Sequence, residues 1–326
     1  MQEFPVSESG PYGIVTGPDG ALWMTLVHAG AIARFAVPSD AASSGADSSG
    51  ADSSGAASSG AASSGAASFG AASSGAASFG AVDLYSLDAP ESGPSIITVG
   101  GDGALWFTRN RDDHIGRIGT DGKLDAFPAS GAPFGIAPGP DDALWFTAMN
   151  ADKIGRITLD GDITEYPIPA AGGFPSMITA GSDGALWFTL NQANAIGRVT
   201  TGGEMTLFRL PTPGGAPVGI TAGGDGALWF VEIGAGQVGR IATDGEITEF
   251  PLPDREARPH AIVADPAGGC WLTEWAANRL AHITFAGEVT EYDLPTPGSE
   301  PHGLTIGPDG AVWTALESGA VARLSR

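Results

Sequence analysis

Two short motifs near the end of the 326-residue sequence place chemistry-bearing side chains at a fixed spacing. Arg258-Pro259-His260 and Glu300-Pro301-His302 repeat a Pro-His pair 42 residues apart, and Glu317 follows in Ala315-Leu316-Glu317. Carboxylates of this kind, with no cysteine beside them, suit a hard cation such as Mg²⁺, which takes one or two protein carboxylates and keeps several waters. An imidazole beside them suits general acid or base work near neutral pH, typically worth about 10² to 10⁴ in rate. A metal acting as a Lewis acid on a carbonyl, with a base beside it, describes proton abstraction next to that carbonyl. The sequence contains no nucleophile elbow, no Ser–His–Asp pattern and no phosphate-binding glycine loop. A single histidine in such a segment reads as a solvated loop residue. Two at equivalent positions, one with Glu300 two residues before it, favour function.

The elements that must position these residues follow from the tryptophans. Trp23, Trp106, Trp145, Trp187, Trp229, Trp271 and Trp313 each end a Gly-Ala-Leu-Trp sequence or a close variant, and the last four steps between them are 42 residues each. Trp106 to Trp145 is 39 residues, and Trp23 to Trp106 is 83. The long step contains residues 41–80, eight tandem pentapeptides rich in Ala, Ser and Gly, and shortens to 43 without them. A fixed period near 42 marks stacked supersecondary units. Each unit runs Pro-x-Gly-Ile, Asp-Gly, Ala-Leu-Trp-Phe-Thr, a polar loop, Ile-Gly-Arg-Ile, Asp-Gly and Ile-Thr-Glu-Tyr-Pro, with departures from blade to blade. These are four short β-branched or aromatic runs with tight-hairpin signals between them. Seven such units predict an all-β, seven-bladed β-propeller with four antiparallel strands per blade. The seventh unit lacks its fourth strand, and Glu3-Phe4-Pro5-Val6 matches Glu249-Phe250-Pro251-Leu252. The N-terminal strand is therefore expected to complete the last blade and close the ring, leaving no open edge.

The whole chain, 1–326, reads as one propeller domain. Residues 41–80 fall in the turn between the third and fourth strands of blade 1, and their composition predicts a disordered insert. Lengthening that turn to about 42 residues costs roughly 2–3 kcal/mol of closure entropy, which a ring of this size tolerates.

Successive connections in a blade alternate between its two ends. Functional residues should cluster in the Pro-x-Gly segments and just after each tryptophan, with the Asp-Gly turns structural. The residue after the proline is Tyr12, Ser95, Phe134, Ser176, Val218, His260 and His302 in blades 1 to 7. Glu300, His302, Glu317 and His260 are expected to converge at the channel mouth, with Glu232 and Glu274 in loops corresponding to that of Glu317. His28, His114 and His282 read as structural or exposed, and Cys270 as buried. Trp275 stands outside the tryptophan series and reads equally as a pocket-lining or a rim residue.

The formal charge is −22, which disfavours nucleic acid and membrane surfaces as partners. One cysteine cannot form an internal disulfide, and no run of 18 apolar residues occurs. With no signal-peptide pattern at the N-terminus, a cytoplasmic soluble protein is expected.

The blade signature, with Arg258-Pro259-His260, Ser299-Glu300-Pro301-His302-Gly303 and Ala315-Leu316-Glu317, resembles the virginiamycin B lyase family, across essentially the whole chain outside residues 41–80. The resemblance implies a monomeric, Mg²⁺-dependent C–O lyase that linearises streptogramin B cyclic depsipeptides by elimination at the threonyl ester, without hydrolysis. It implies that Glu300 and Glu317 hold Mg²⁺, that His302 is the catalytic acid/base and that His260 contacts substrate. Two other readings remain open on the residues alone: a metal-dependent lactonase or esterase acting on another cyclic ester, and a non-catalytic propeller binding a ligand in its channel.

Overall fold

The computed structural model describes residues 1–38 and 80–326, and over them the chain forms 28 strands in seven four-stranded antiparallel sheets. The sheets surround a central channel as a seven-bladed propeller, as the period predicts. In blade 7 the strands Pro301–Ile306, Val312–Leu316 and Ala320–Leu324 are completed by Gln2–Pro5 from the N-terminus. Phe4 pairs with Val321 in that strand and lies 5.4 Å, centroid to centroid, from Trp313. An aromatic from the fourth strand packs on the blade tryptophan elsewhere too, such as Phe208 on Trp187 at 5.5 Å. The N-terminal strand thus supplies the part its sequence match predicts. The segment containing residues 39–79 joins the third and fourth strands of blade 1, Ala31–Phe35 and Val82–Ser86. The Ala36 N–H donates to the Ala81 carbonyl at 2.9 Å, so the two strands stay paired to that turn. The expected disorder of residues 41–80 falls almost wholly outside the described residues.

The tryptophans and the Asp-Gly turns form one device. In blade 4, Asp183 accepts from the Trp187 indole through Oδ1 at 3.0 Å and from Arg198 Nε through Oδ2 at 2.7 Å. Equivalent triads occur in blades 1, 2, 3, 5 and 7, and they explain why Asp, Trp and Arg recur in step. Each fixes a hairpin end and satisfies an otherwise buried indole. Blade 6 departs from this pattern. Its aspartate, Asp265, lies six residues before Trp271, His282 replaces the arginine, and Arg326 reaches over from beside blade 7 to pair with Asp265.

Neighbouring blades are joined by threonines of the second strand. The Thr273 hydroxyl accepts from Ala261 N–H at 3.0 Å within blade 6 and donates to the His302 carbonyl of blade 7 at 3.0 Å. Blades 1 to 4 repeat this bond to the residue after the next blade's proline. Close approach at the seam between blades 7 and 1 requires a glycine, because a Cβ on Gly303 would lie 2.6 Å from the Tyr12 carbonyl oxygen.

Candidate active site

The site is built from a recurring irregularity. In every blade the pairing of the first and second strands slips between the proline and the residue three positions later, as between Pro301 and Leu304. Such a bulge re-aims the side chain it carries. The residue before the proline has positive φ in all seven blades, including Gly10 at 60°, Arg258 at 50° and Glu300 at 53°. Left-handed backbone is unfavourable for a residue with a side chain, and it is glycine in only two of these seven places. The conformation of Glu300 is thus a property of the blade, and the sequence places a carboxylate on it once.

On this frame the structure brings Glu300, His302 and Glu317 together, with one ligand atom from each lying within 4.8 Å of the others. Glu300 is exposed, His302 is buried at 7% exposure and Glu317 is partly buried. His302 Nε2 lies 2.6 Å from Glu317 Oε2, and the Glu317 N–H donates to the Glu300 carbonyl at 3.2 Å. A carboxylate only accepts, so Nε2 carries the proton in this arrangement. His302 Nδ1 is buried and has no partner. His260 stands beside it, with ring centroids 5.0 Å apart at 81°, and its own Nδ1 is also without a partner.

Two residues that the sequence did not single out complete the cluster. Tyr12 occupies in blade 1 the position that His260 and His302 hold in blades 6 and 7. Its ring centroid is 4.5 Å from that of His302, and its hydroxyl is 3.5 Å from His260 Nε2. Blade 1 abuts blade 7 in the closed ring. Reading the after-proline series around the ring, so that blade 1 follows blade 7, makes Tyr12, His302 and His260 three successive members. His28, expected to be structural or exposed, is 51% exposed and sits with Nε2 at 2.8 Å from Glu317 Oε1. No local signal could have found it, since its partner is 289 residues away.

Glu232 and Glu274 are not in loops corresponding to that of Glu317. They end their second strands, pair across to Pro217 and Pro259, and are fully buried. The place they hold is taken in blade 7 by Leu316, which pairs with Pro301. Glu317 lies one residue further on, at the position of Trp275 in blade 6. The distance from the tryptophan differs accordingly, three residues for Glu232 and Glu274 and four for Glu317. Trp275 is half-buried. His282 is structural, as expected, and Cys270 is buried.

The electrostatics are those of a neutral-imidazole site beside an ionised carboxylate. Burial pushes His260 down to about 3, with the neighbouring His302 adding to the shift and Glu317 opposing it. Burial also lowers His302, against the raising effect of Glu317 and Glu300. For Glu317 burial acts upward, but hydrogen bonds from His28 and His302 prevail and hold it below the ordinary carboxylate range. Burial, with the Glu317 charge adding, raises Tyr12, so the phenol stays protonated. Beneath the cluster the channel is an apolar cavity of about 170 Å³, lined among others by Ile97, Ile136, Ile220 and Leu304.

Two carboxylates and an imidazole within 4.8 Å, one carboxylate exposed to water, fit a hard divalent cation that keeps part of its hydration. The same cluster offers a neutral base and, in Tyr12, a protonated donor. It lies at the starts of first strands and in the adjoining loops, at the channel end away from the Asp-Gly turns and from the Ala36–Ala81 pair.

The family described as "Virginiamycin B lyase family" matches residues 66–324. Virginiamycin B lyase from Staphylococcus aureus is 39% identical over 100% of this chain and 98% of its own, with a TM-score of 0.84. A catalytically inactive histidine-to-alanine variant of that enzyme, solved with quinupristin, is 38% identical over the same shares, with a TM-score of 0.84. Virginiamycin B lyase of Nocardia farcinica is 39% identical over 129 residues, 40% of this chain and 30% of that protein. The Saccharopolyspora erythraea virginiamycin B lyase is 58% identical over 41 residues, 13% of this chain and 14% of that protein. The matched segments of these two curated relatives therefore span less than a third of their lengths.

Proposed function

The chain belongs to the virginiamycin B lyase family, and from that premise we propose that it is a C–O lyase that opens streptogramin B-type cyclic depsipeptides by elimination. The observation that carries the reading is the meeting of Glu300, His302 and Glu317, with His260 and Tyr12 beside them, at one end of the channel. The relative solved with quinupristin supports a substrate of this class, and its inactivation by loss of a histidine supports an imidazole in the chemistry.

Glu300 and Glu317 would hold Mg²⁺, which when bound supplies positive charge to polarise the substrate carbonyl and offset the charge that develops on it. His302 is the base. Burial keeps it neutral near pH 7, and with its proton on Nε2 toward Glu317 the free lone pair of the imidazole is on Nδ1, which has no partner in the protein. The α-proton of the threonine-derived residue passes to His302, the C–H electron pair forms the Cα=Cβ bond, and the Cβ–O bond breaks. Its electrons leave with the carboxylate, so no water is consumed. His260 and Tyr12 bind and orient substrate as uncharged hydrogen-bonding groups. The protein acts as a monomer on a small molecule, with nucleic acid and membranes as no part of its function.

The test is the mass of the product after incubation with Mg²⁺ and a streptogramin B depsipeptide. A linear product of unchanged mass is expected; a product heavier by one water would identify a hydrolase, and unchanged substrate would remove the antibiotic assignment. Excess EDTA should stop turnover and Mg²⁺ should restore it. Full activity in chelator would exclude the metal's role.

A further inference from the structure

We propose that His28 is a positioning residue for Glu317: its Nε2–H holds one carboxylate oxygen so that the other is directed at His302 and at a divalent cation held with Glu300. The proposal rests on the cation-binding reading of the same cluster. Glu317 is engaged on both oxygens, Oε1 by His28 at 2.8 Å and Oε2 by His302 at 2.6 Å. The two imidazoles come from different blades, His28 from the turn between Leu22–Leu26 and Ala31–Phe35 of blade 1, His302 from the first strand of blade 7. The carboxylate therefore bridges the seam where the ring closes.

An exposed pair of this kind is ordinarily worth little, because water competes and the side chains lose freedom. Here the blade geometry removes part of that freedom. The residue before the proline bears a side chain in blades 3 to 7, whereas blade 1 has Gly10. A Cβ on Gly10 would lie 3.0 Å from His28 Cδ2 and 3.3 Å from Glu317 Cγ. The space left by the missing side chain is the space in which the imidazole and the carboxylate meet. A ligating carboxylate whose orientation is fixed by an outer hydrogen bond binds its metal more tightly, and losing such a partner typically costs about 10- to 100-fold in affinity. The bond needs only an Nε2–H donor on His28.

The experiment is a titration of the full chain with Mn²⁺, a paramagnetic substitute for Mg²⁺, with the free ion read by EPR. Wild type, Glu317→Gln, His28→Ala and His28→Gln are compared, and thermal unfolding without metal is recorded for each. The expected result is saturable binding by wild type, loss of binding in Glu317→Gln, and about 10- to 100-fold weaker binding in His28→Ala. His28→Gln, which keeps a terminal N–H donor, should recover most of the loss, and the metal-free unfolding midpoints of both His28 variants should match wild type. His28→Ala binding as tightly as wild type, while Glu317→Gln fails, would overturn the positioning role alone. An equal loss in His28→Ala and His28→Gln would also overturn it, since the donor would then be irrelevant. Absence of binding by wild type would overturn the cation reading and this proposal with it.

Discussion

At the scale of single residues, the site depends on which polar groups the fold leaves charged. His302 is neutral because burial outweighs two nearby carboxylates, so the pH limb of turnover should fall on the acid side, below the ordinary imidazole range. His302→Ala should lower kcat by at least about 10²-fold, with circular dichroism unchanged; turnover near wild type would remove it as the base. Glu232 presents the opposite sign. It is fully buried, Gln237 donates to one oxygen at 3.0 Å, the other has no partner, and burial pushes it up to about 7. A carboxyl whose folded value lies above its unfolded one contributes stability at low pH that is lost as pH rises through the folded value. Glu232→Gln should therefore raise stability at pH 8 relative to wild type by about 2–3 kcal/mol and change little at pH 5. Chemical denaturation at the two pH values measures this, and an equal effect at both would show that ionisation is not the cause.

At the scale of elements, the bulge after each proline aims the catalytic side chains, and the threonine of the preceding blade holds the bulge. Thr273 connects Ala261 and the His302 carbonyl. Thr273→Val leaves both backbone groups unpaired, at a cost of about 1–3 kcal/mol. Because one of those groups belongs to His302, kcat should fall as well. The control is Thr147→Val, which breaks the same bond to Ser176 in a blade without site residues. It should lose similar stability and keep its rate, as followed by denaturant midpoints and steady-state kinetics. Equal kinetics in the two variants would mean that His302 is held by other contacts.

At the scale of the molecule, the ring must close before the site exists, since blades 6, 7 and 1 each contribute to it. Residues 1–5 form the outer strand of the blade that carries Glu300, His302 and Glu317. Their removal exposes Trp313 and the edge of Ala320–Leu324. It should lower the thermal midpoint sharply and abolish turnover. Deleting residues 41–80 should leave both unchanged, because Ala36 and Ala81 pair across that turn on the face away from the site. Calorimetry and a rate assay on the two deletions test the contrast, and loss of activity in the second would show that the segment reaches the site.

The sequence by itself determined the blades. Tryptophan spacing, the Asp-Gly turns and the Ile-Gly-Arg-Ile runs are local patterns, and the Asp–Trp–Arg triads that explain them are closed within about fifteen residues, as from Asp183 to Arg198. It also brought out Glu300, His302, Glu317 and His260, because those residues interrupt a repeat whose other copies show what is ordinary there. Only the tertiary structure decided which of the glutamates following a blade tryptophan meets His302. One residue of displacement reverses the face of a strand, so Glu232 and Glu274 are buried between blades while Glu317 meets His302. Tyr12 and His28 belong to the first blade, and ring closure alone sets them beside the last. The physical reason is that a propeller encodes each blade locally, whereas its channel mouth is shared by residues nearly 300 positions apart.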